Sequence, residues 1–295
     1  MRNTLKAATL ESKFPLLAVE ADCIISKDAD ITAVFEVDLP ELFTVTAAEY
    51  EAIHAAWAKA IKVLPNYTVV HKQDWFIRED YCSQTDKENL SFLSRSYEMH
   101  FNERPFLNHK CYLYLTKTTK ERMRMQSGFS SLCRGFIIPK EVDKDTTAHF
   151  LDTVGQFARI VNDTGLVRLR RLGGDEITGT EDKAGLVEKY FCLSMENTTA
   201  LEDIELGDDG LRVGNKHVSV HTLSELDALP GKVGTDCRYE RLSTDKSDCK
   251  LSFASPVGLL LSCNHLYNQY IFLDDSGENL QRFEKNARNM QSLSK

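Results

Sequence analysis

Eight cysteines and eight histidines are the most reactive side chains of this 295-residue sequence. The cysteines stand at positions 23, 82, 111, 133, 192, 237, 249 and 263, and no two of them form a Cys-x-x-Cys pair. Structural zinc sites normally depend on such close pairs. We therefore expect reduced thiols, several of them packed in strands as small hydrophobic residues, and neither a metal site nor a cofactor.

Two cysteines each have a histidine close to them in the sequence or in the next predicted element. Cys133 with His149, and Cys263 with His265, combine a thiol with an imidazole base. Nothing in their surroundings predicts the lowered thiol pKa that a nucleophilic cysteine needs. We therefore predict no catalytic residue from these pairs.

Residues 207–217 carry the glycines and the lysine that a phosphate-binding loop would use. A P-loop requires Gly-x-x-x-x-Gly-Lys-Ser/Thr, because its glycines let backbone N–H groups close around phosphate. The stretch here has different spacing, lacks the Ser/Thr, and contains acidic residues that would repel phosphate. The same region holds His217 and His221, but extended chain separates them by roughly 13 Å, too far for one metal ion. We predict a chain that does not hydrolyse ATP.

Gly173-Gly-Asp-Glu-Ile177 resembles the Gly-Gly-Asp-Glu-Phe signature of diguanylate cyclases, and Arg171 stands where that family often has an arginine. Residues 157–165 faintly resemble an upstream motif of the same family. The two segments lie too close together for the helix and strand that separate them there, and polar residues 178–183 replace the expected apolar strand. We therefore predict a surface turn with solvated acidic side chains. A degenerate nucleotide-binding enzyme or sensor is the alternative.

The net charge of −8 is distributed unevenly along the chain. Between positions 104 and 140 there are eight basic residues and one acidic residue, which gives +7 and leaves −15 for the remainder. This stretch is either a solvated loop or a docking surface for an acidic partner, anionic lipid or nucleic acid. The acidity of the whole chain weakens the nucleic-acid reading, even with Arg168 and Arg170 added. The candidate docking residues are Arg104, Lys110, Lys117, Lys120, Arg122 and Arg124.

Hydrophobic periodicity predicts an α+β fold, with helices packed on mainly antiparallel sheets in two lobes. The first lobe, residues 1–120, has the order ββαβαβ. It begins with a hairpin of strands 21–25 and 31–37, and its first helix starts at a capping box formed by Thr46 and Glu49. A strand around 67–77, a second helix and a strand at 111–115 follow. The second helix has the apolar stripe Leu90, Leu93, Tyr97 and Phe101.

Residues 121–147 form a basic connection to the second lobe, residues 148–295. A helix there carries Phe150, Val154, Phe157 and Val161 on one face and ends at Gly165. Short strands follow, with turns expected at 208–210 and at 264–268; the pattern leaves residues 181–192 undecided between helix and strand. Ser276 is expected to cap a last helix with Leu280, Phe283, Ala287 and Met290 on one face.

Several segments in order along the chain resemble the N-terminal region of the TraG family, which comprises transfer ATPases of Bacteroidetes conjugative transposons. The resemblance is carried by residues 39–64, Lys72-Gln-Asp-Trp75, residues 101–118, residues 272–279 and residues 287–293. In that family this region precedes a RecA-like motor that powers a type IV secretion channel during DNA transfer. The motor motifs match no position here, so no catalytic residue is carried over.

The resemblance implies an N-terminal docking and assembly module without catalysis of its own. Its expected partners are envelope channel components of the conjugation machinery and a C-terminal motor domain, and a homo-oligomer is compatible with the family; DNA binding by the module alone is not expected. A chain that stops at Lys295 directly after a helix is typical of a cut at a domain boundary. No apolar run is long enough to cross a bilayer, so we expect a cytoplasmic protein. The resemblance implies that it is peripheral at the inner membrane.

Overall fold

The computed structural model describes residues 14–40, 45–81, 91–102, 104–118, 144–196, 202–208, 210–222, 237–238, 240, 243–248, 250–251, 261 and 263–293. Its strands are β1 Leu16–Glu20, β2 Cys23–Ser26, β3 Ile31–Asp38, β4 Thr68–Glu79, β5 Phe106–Lys117, β6 Arg168–Arg171, β7 Gly179–Thr180, β8 Lys183–Ala184, β9 Ile204–Gly207, β10 Gly210–Val213, β11 Lys216–Val218, β12 Cys237–Arg238, β13 Lys250–Leu251 and β14 His265–Leu273. Its helices are α1 Ala47–Val63, α2 Phe92–Asn102, α3 Lys144–Asn162, α4 Gly174–Thr178, α5 Leu186–Cys192 and α6 Ser276–Leu293. The predicted α+β class is confirmed.

A seven-stranded antiparallel sheet organises the chain. Six strands follow the order β1-β2-β3-β5-β4-β14, and β6 lies beside the second half of β3. The predicted hairpin of β2 and β3 is confirmed, and β1 adds a strand before it that the predicted order ββαβαβ lacks. The long strands β4 and β5 pair over their full length, from Thr68 with Lys117 to Glu79 with Phe106.

The strands of this sheet come from both sides of residues 121–147. β1 to β5 belong to the predicted first lobe, whereas β6 and β14 belong to the second. Both predicted lobes therefore contribute described strands to one sheet and described residues to each of the two core clusters that pack on it. The reason is pairing over long sequence distances: β14 adds to the free edge of β4 through nine residue pairs, which join positions nearly 200 residues apart.

One face of the sheet is covered by α1 and α3. The capping box of Thr46 and Glu49 fixes the start of α1, as predicted, with hydrogen bonds of 2.7 and 3.3 Å between these residues. Trp57 of α1 meets Phe157 of α3 edge to face, with ring centroids 5.6 Å apart. The four stripe residues predicted for α3 are at most 4% exposed, so this helix forms the centre of the core.

The opposite face is covered by the short helices α4 and α5. Val34 and Trp75 of the sheet pack there with Ile177 and Leu186 in a second buried cluster. Alternation along each strand thus buries both faces of the central strands, which gives a layer of large helices, the sheet, and a layer of short helices.

Three elements lie away from these layers. β9, β10 and β11 form a separate antiparallel meander, and the position of the predicted turn falls where β9 gives way to β10, with Asp209 outside the described residues. The helices α2 and α6 were both predicted and are both present, but most of their side chains are exposed. Among the described residues, no helix is both long and apolar enough to cross a membrane.

Candidate functional site

The helix α2 exposes the three described residues of its predicted apolar stripe, Leu93, Tyr97 and Phe101, and the fourth, Leu90, lies outside the described residues. Leu93 is 79% exposed and Tyr97 is 62% exposed, whereas the stripe of α3 is buried and that of α1 is half-buried against the core. Tyr81, just after β4, holds α2 in place: its ring lies 5.9 Å from that of Phe101, and its hydroxyl donates to Glu98 at 3.4 Å. We call the exposed apolar residues at this end of the sheet the α2 surface: Phe92, Leu93, Tyr97, Met99, Phe101 and Phe106.

Of the predicted docking residues, Arg104 lies at the α2 surface. It directly follows α2, is exposed, and its guanidinium lies 3.1 Å from Nε2 of His100. Lys110 is also exposed, further along β5. The remaining candidates Lys120, Arg122 and Arg124 lie outside the described residues.

Lys117 belongs to a different part of the molecule. It ends β5, roughly 37 Å from the α2 end of that strand. Its ammonium group donates to the carbonyl of Asn66 and lies 5.7 Å from the ring centroid of Tyr67, and partial burial lowers its pKa. The structure therefore does not bring Arg104 and Lys117 into one patch, and it gives Lys117 a local role in joining β5 to the turn before β4.

A polar cluster centred on the buried Asp74 lies on the sheet face that α1 and α3 cover. Asp74, 4% exposed, accepts a hydrogen bond from Nε2 of His109 at 2.9 Å and pairs with the ammonium group of Lys72. Burial raises the pKa of Asp74, but these bonds and that of the Cys111 thiol outweigh it, so the net pKa lies below the ordinary value. Burial raises the pKa of Cys111, which keeps this thiol protonated at neutral pH and unsuited to nucleophilic attack.

An apolar cavity of about 410 Å³ opens beside this cluster, between the sheet, α1 and α3. Trp57, Leu113 and Leu169 are among its apolar walls, and Lys72 and Gln269 are among its few polar groups. Sequence reasoning missed both the cavity and the cluster. Alternation along Lys72-Gln-Asp-Trp75 places Lys72 and Asp74 on one face, but the partner His109 is set by the register of β5.

A second polar network lies on the opposite face and joins β4, β5 and β14. The Gln73 side chain accepts from the indole N–H of Trp75 at 2.8 Å and from the Tyr114 hydroxyl at 3.0 Å, and it donates to Asn268 at 3.0 Å. His71 is 2.9 Å from the same Asn268 oxygen, and burial lowers its pKa. The side chains of this network satisfy one another's hydrogen bonds. The network therefore fixes the register of β14 on β4 and is not a candidate catalytic group.

The segment Gly173–Ile177 is not the solvated turn that we predicted. It enters the short helix α4, and Ile177 is fully buried in the second core cluster. Glu176 accepts two hydrogen bonds from the guanidinium of Arg170, at 2.8 and 3.0 Å, and one from the backbone N–H of Gly173 at 3.1 Å. Arg170 also contacts Glu36 at 2.6 Å. Of the two acidic residues, only Asp175 is exposed as expected.

The remaining predicted chemistry residues are not brought together among the described residues. His217 lies 3.3 Å from Arg212, and His221 lies 3.1 Å from Ser219. No group of three or more potential metal ligands occurs in the described part of the chain. The ring of His265 contacts the backbone carbonyl of Cys263, not its thiol. Cys133 lies outside the described residues.

Comparison with known proteins adds one match. Residues 3–55 match the model of a family described as a domain of unknown function, B. Theta gene description (DUF3875). The match covers less than a fifth of the chain and includes β1 to β3 and the start of α1. No curated protein matches the chain.

Proposed function

We propose that this chain is an N-terminal docking and assembly module of a conjugative DNA-transfer ATPase of the TraG type, without catalysis of its own. In this proposal the module is cytoplasmic and lies at the inner membrane. It contacts envelope channel components and, where the natural gene continues, a C-terminal motor domain. The family resemblance along the chain motivates the assignment, and the α2 surface supports it.

The observation that carries the proposal is the contrast between α2 and the core helices. All three have an apolar stripe, but only the stripes of α1 and α3 contact the sheet, whereas Leu93 and Tyr97 remain exposed. Leu93, Tyr97 and Phe101 are four residues apart on one face of α2, and an exposed apolar line with aromatic members is typical of protein-binding surfaces. The α2 surface includes Tyr97, Phe101 and Phe106, and aromatic residues of this kind supply most of the energy at interfaces.

Charge around the α2 surface indicates the kind of partner. Arg104 borders it, and Lys110 follows on β5. Basic residues beside an apolar centre favour an acidic protein partner, because the charges steer the encounter while apolar contact holds the complex. Nucleic acid is the weaker candidate partner, since Arg170 is already paired with Glu36 and Glu176 and the chain carries a net charge of −8.

The test uses a double substitution on the α2 surface. Leu93→Glu with Tyr97→Glu should weaken binding of the full chain to purified envelope channel components at least about tenfold. The same change in the host gene should reduce DNA transfer. The matched control is Arg95→Lys, which keeps the charge at an exposed polar position of the same helix and should change neither readout. Undiminished binding and transfer by the double variant would contradict the proposal.

A second test reads the coding sequence downstream of Lys295. The proposal expects a Gly-x-x-x-x-Gly-Lys-Ser/Thr motif there, preceded by a strand and followed by a helix, because the motor must supply its own phosphate-binding loop. A downstream sequence without such a motif would contradict the motor assignment. The docking role of the α2 surface would then be tested by the binding experiment alone.

A further inference from the structure

The cavity between the sheet, α1 and α3 lies next to a part of the core that is closely packed. Further along the same two helices, Ala60 and Val154 are fully buried, and the ring centroids of Trp57 and Phe157 lie 5.6 Å apart. Protein cores contain few spaces larger than a water molecule, because the atoms around such a space lose contacts. A volume of about 410 Å³ is therefore larger than an ordinary packing gap.

Small side chains on the walls maintain this space. Val37, Val70, Val161 and Val167 line it from β3, β4, α3 and the turn before β6. A leucine or phenylalanine at any of these positions would extend further and fill part of the cavity. The volume lies within the range of roughly 300–1,000 Å³ that is usual for small-molecule sites. A cavity of only about 150 Å³ already binds benzene, so this one has room for a larger apolar body.

Strand pairing gives the cavity a polar side and an apolar side. Lys72 of β4 is paired with Gln269 of the neighbouring edge strand β14, and both side chains line the cavity. On the other side of the sheet's centre, Val37 of β3 is paired with Leu169 of β6, and these two side chains also line it. A bound molecule therefore meets polar groups towards β14 and hydrocarbon towards β6.

The polar side can both donate and accept a hydrogen bond. The ammonium group of Lys72 has three N–H donors. It pairs with Asp74 and reaches the Cys111 thiol, so a third donor is left for a ligand. The amide nitrogen of Gln269 donates to the Tyr267 hydroxyl at 3.1 Å. The carbonyl oxygen of the same amide has two lone pairs with which it can accept.

The charges on the polar side compensate each other. Lys72 is paired with the carboxylate of Asp74, whose other oxygen is bonded by His109. A carboxylate or phosphate head would be a second anion beside Asp74, and an ammonium head would be a second cation beside Lys72. Either head would lose its hydration without gaining a free counter-charge. A hydroxyl group avoids this cost, because it can accept from Lys72 and donate to Gln269.

We propose that this cavity is the binding site of a small uncharged amphiphile, which has an aliphatic body and one hydroxyl head. The body lies against the valines, and the hydroxyl lies between the ammonium group of Lys72 and the side chain of Gln269. Leu39 and His54 line the cavity and are exposed, so they mark the side from which the molecule enters.

Trp57 gives a direct readout of binding, since it lines the cavity and is one of the two tryptophans of the chain. The other, Trp75, packs in the second core cluster on the opposite face of the sheet. Decanol with a bromine at the end of its chain should quench the Trp57 emission of the full chain saturably, with a dissociation constant in roughly the micromolar range. Absence of saturable binding, by quenching and by calorimetry, would overturn the proposal.

The variant Trp57→Phe locates the bound molecule. It keeps an aromatic wall, so calorimetric binding of decanol should persist, but the saturable quenching should be lost. Quenching that persists in this variant would come from Trp75. It would place the alcohol outside the cavity and contradict the proposal.

Decanoate tests the charge of the head, because it has the same chain length as decanol. At about pH 8, above the ordinary pKa of imidazole, decanoate should bind at least about tenfold more weakly than decanol. Equal or tighter binding of decanoate would show that Lys72 acts as a free cation, and the uncharged head would be wrong.

The hydrogen bond of the head is tested with Gln269→Leu, which keeps a similar volume and removes the acceptor. The comparison uses nonyl methyl ether, an isomer of decanol that cannot donate. The unmodified chain should bind decanol about threefold to tenfold more tightly than the ether. Gln269→Leu should bind the two equally. A preference for decanol that survives in this variant would exclude the proposed position of the hydroxyl.

Cavity-filling substitutions test the position of the body. Val37→Phe should abolish decanol binding without lowering the melting temperature, because the added ring lies in the cavity. Val167→Leu is a smaller change of the same kind and should weaken binding at least about threefold. The matched control is Val220→Phe, at a position 78% exposed, which should leave the affinity within about twofold. Full affinity in both filling variants would refute the site.

This site is independent of the proposed docking role. The cavity lies under α1 and α3, whereas the α2 surface lies at the other end of β4 and β5. The variant Leu93→Glu with Tyr97→Glu should therefore bind decanol normally, and Val167→Leu should bind channel components normally. Loss of one binding activity with retention of the other identifies which of the two proposals fails.

Discussion

Asp74 shows how one buried carboxylate organises its surroundings. It has Lys72 and His109 as partners and is only 4% exposed, so the negative charge is compensated where water does not reach it. Removing one partner from a buried charged group leaves the others unsatisfied, which costs more than the net value of the original bonds. The cluster therefore resists substitution even though it lacks an activated nucleophile.

The first prediction concerns Asp74→Asn. At pH 7 the variant should have a free energy of unfolding lower by about 1–3 kcal/mol. Because the folded-state pKa of Asp74 lies below its unfolded value, its contribution is present above the unfolded pKa and is lost as pH falls through the folded pKa. The difference between the two proteins should therefore narrow below about pH 4. Urea denaturation at several pH values measures this, with exposed Asp175→Asn as the control. A difference that does not depend on pH would contradict it.

The second prediction separates two adjacent acidic residues. Glu176→Ala should destabilise the fold by about 1 kcal/mol, because it removes the partner of Arg170 and the cap of Gly173. Asp175→Ala should change stability by less than about 0.5 kcal/mol, as an ordinary surface substitution does. Thermal melts of both variants provide the comparison. Equal effects of the two substitutions would show that the Arg170 contacts contribute nothing measurable.

At the scale of elements, similar apolar stripes on different helices differ in burial. Phe157 of α3 is fully buried against Trp57, whereas Leu93 of α2 is in solvent. We predict that Phe157→Ala lowers the free energy of unfolding by about 3–5 kcal/mol through cavity formation. Leu93→Ala should cost less than about 0.5 kcal/mol. Chemical denaturation distinguishes them, and a large loss of stability in Leu93→Ala would mean that α2 packs as a core helix.

Helices that have strong local signals were predictable from sequence. The cap at Thr46 and the stop at Pro65 define α1 within a few residues, and the α3 stripe defines the core. The strand order was not predictable, because β14 joins β4 through contacts across nearly 200 residues. The polar run 264–268 was wrongly assigned to a turn for this reason: in β14, Asn268 pairs with Gln73, whose side chain satisfies it.

The candidate site was predictable only in part for a related reason. Periodicity identified the α2 stripe, but no local pattern distinguishes an exposed stripe from a buried one; that depends on whether another element packs against it. Likewise, counting charges along the sequence grouped Arg104 with Lys117, although the length of β5 separates these two residues. The composition of a segment gives the sign of its net charge, but only the fold determines where each charged side chain lies.

At the scale of the whole molecule, the absence of a phosphate-binding loop from the sequence gives a direct prediction. The described residues of segment 207–217, which most nearly matches such a loop, belong to the β9–β11 meander, from the end of β9 into β11. The isolated chain should show no saturable binding of Mg-ATP by calorimetric titration and no ATP turnover. A saturable micromolar isotherm would contradict this prediction.

The last prediction concerns charge polarity across the chain. Residues 104–140 carry +7 and the remainder carries −15, and we predict that Lys120, Arg122 and Arg124, the densest part of this stretch, steer an acidic partner or an anionic inner leaflet at long range. Reversal of Lys120, Arg122 and Arg124 to Glu should leave the thermal melt nearly unchanged. Binding to channel components, or to anionic vesicles, should fall and lose its dependence on salt.

A matched control separates this local effect from a change in net charge. Lys59→Glu with Lys62→Glu reverses two exposed charges on α1, outside the basic stretch. If the basic stretch steers the encounter, the control should reduce the association rate much less per reversed charge than the triple reversal does. The reason is screening: opposite charges interact strongly only within about a Debye length of the contact, roughly 8–10 Å in physiological salt. Equal losses per charge would mean that only net charge matters. Binding that survives the triple reversal at low salt would show that residues 120–124 take no part in docking.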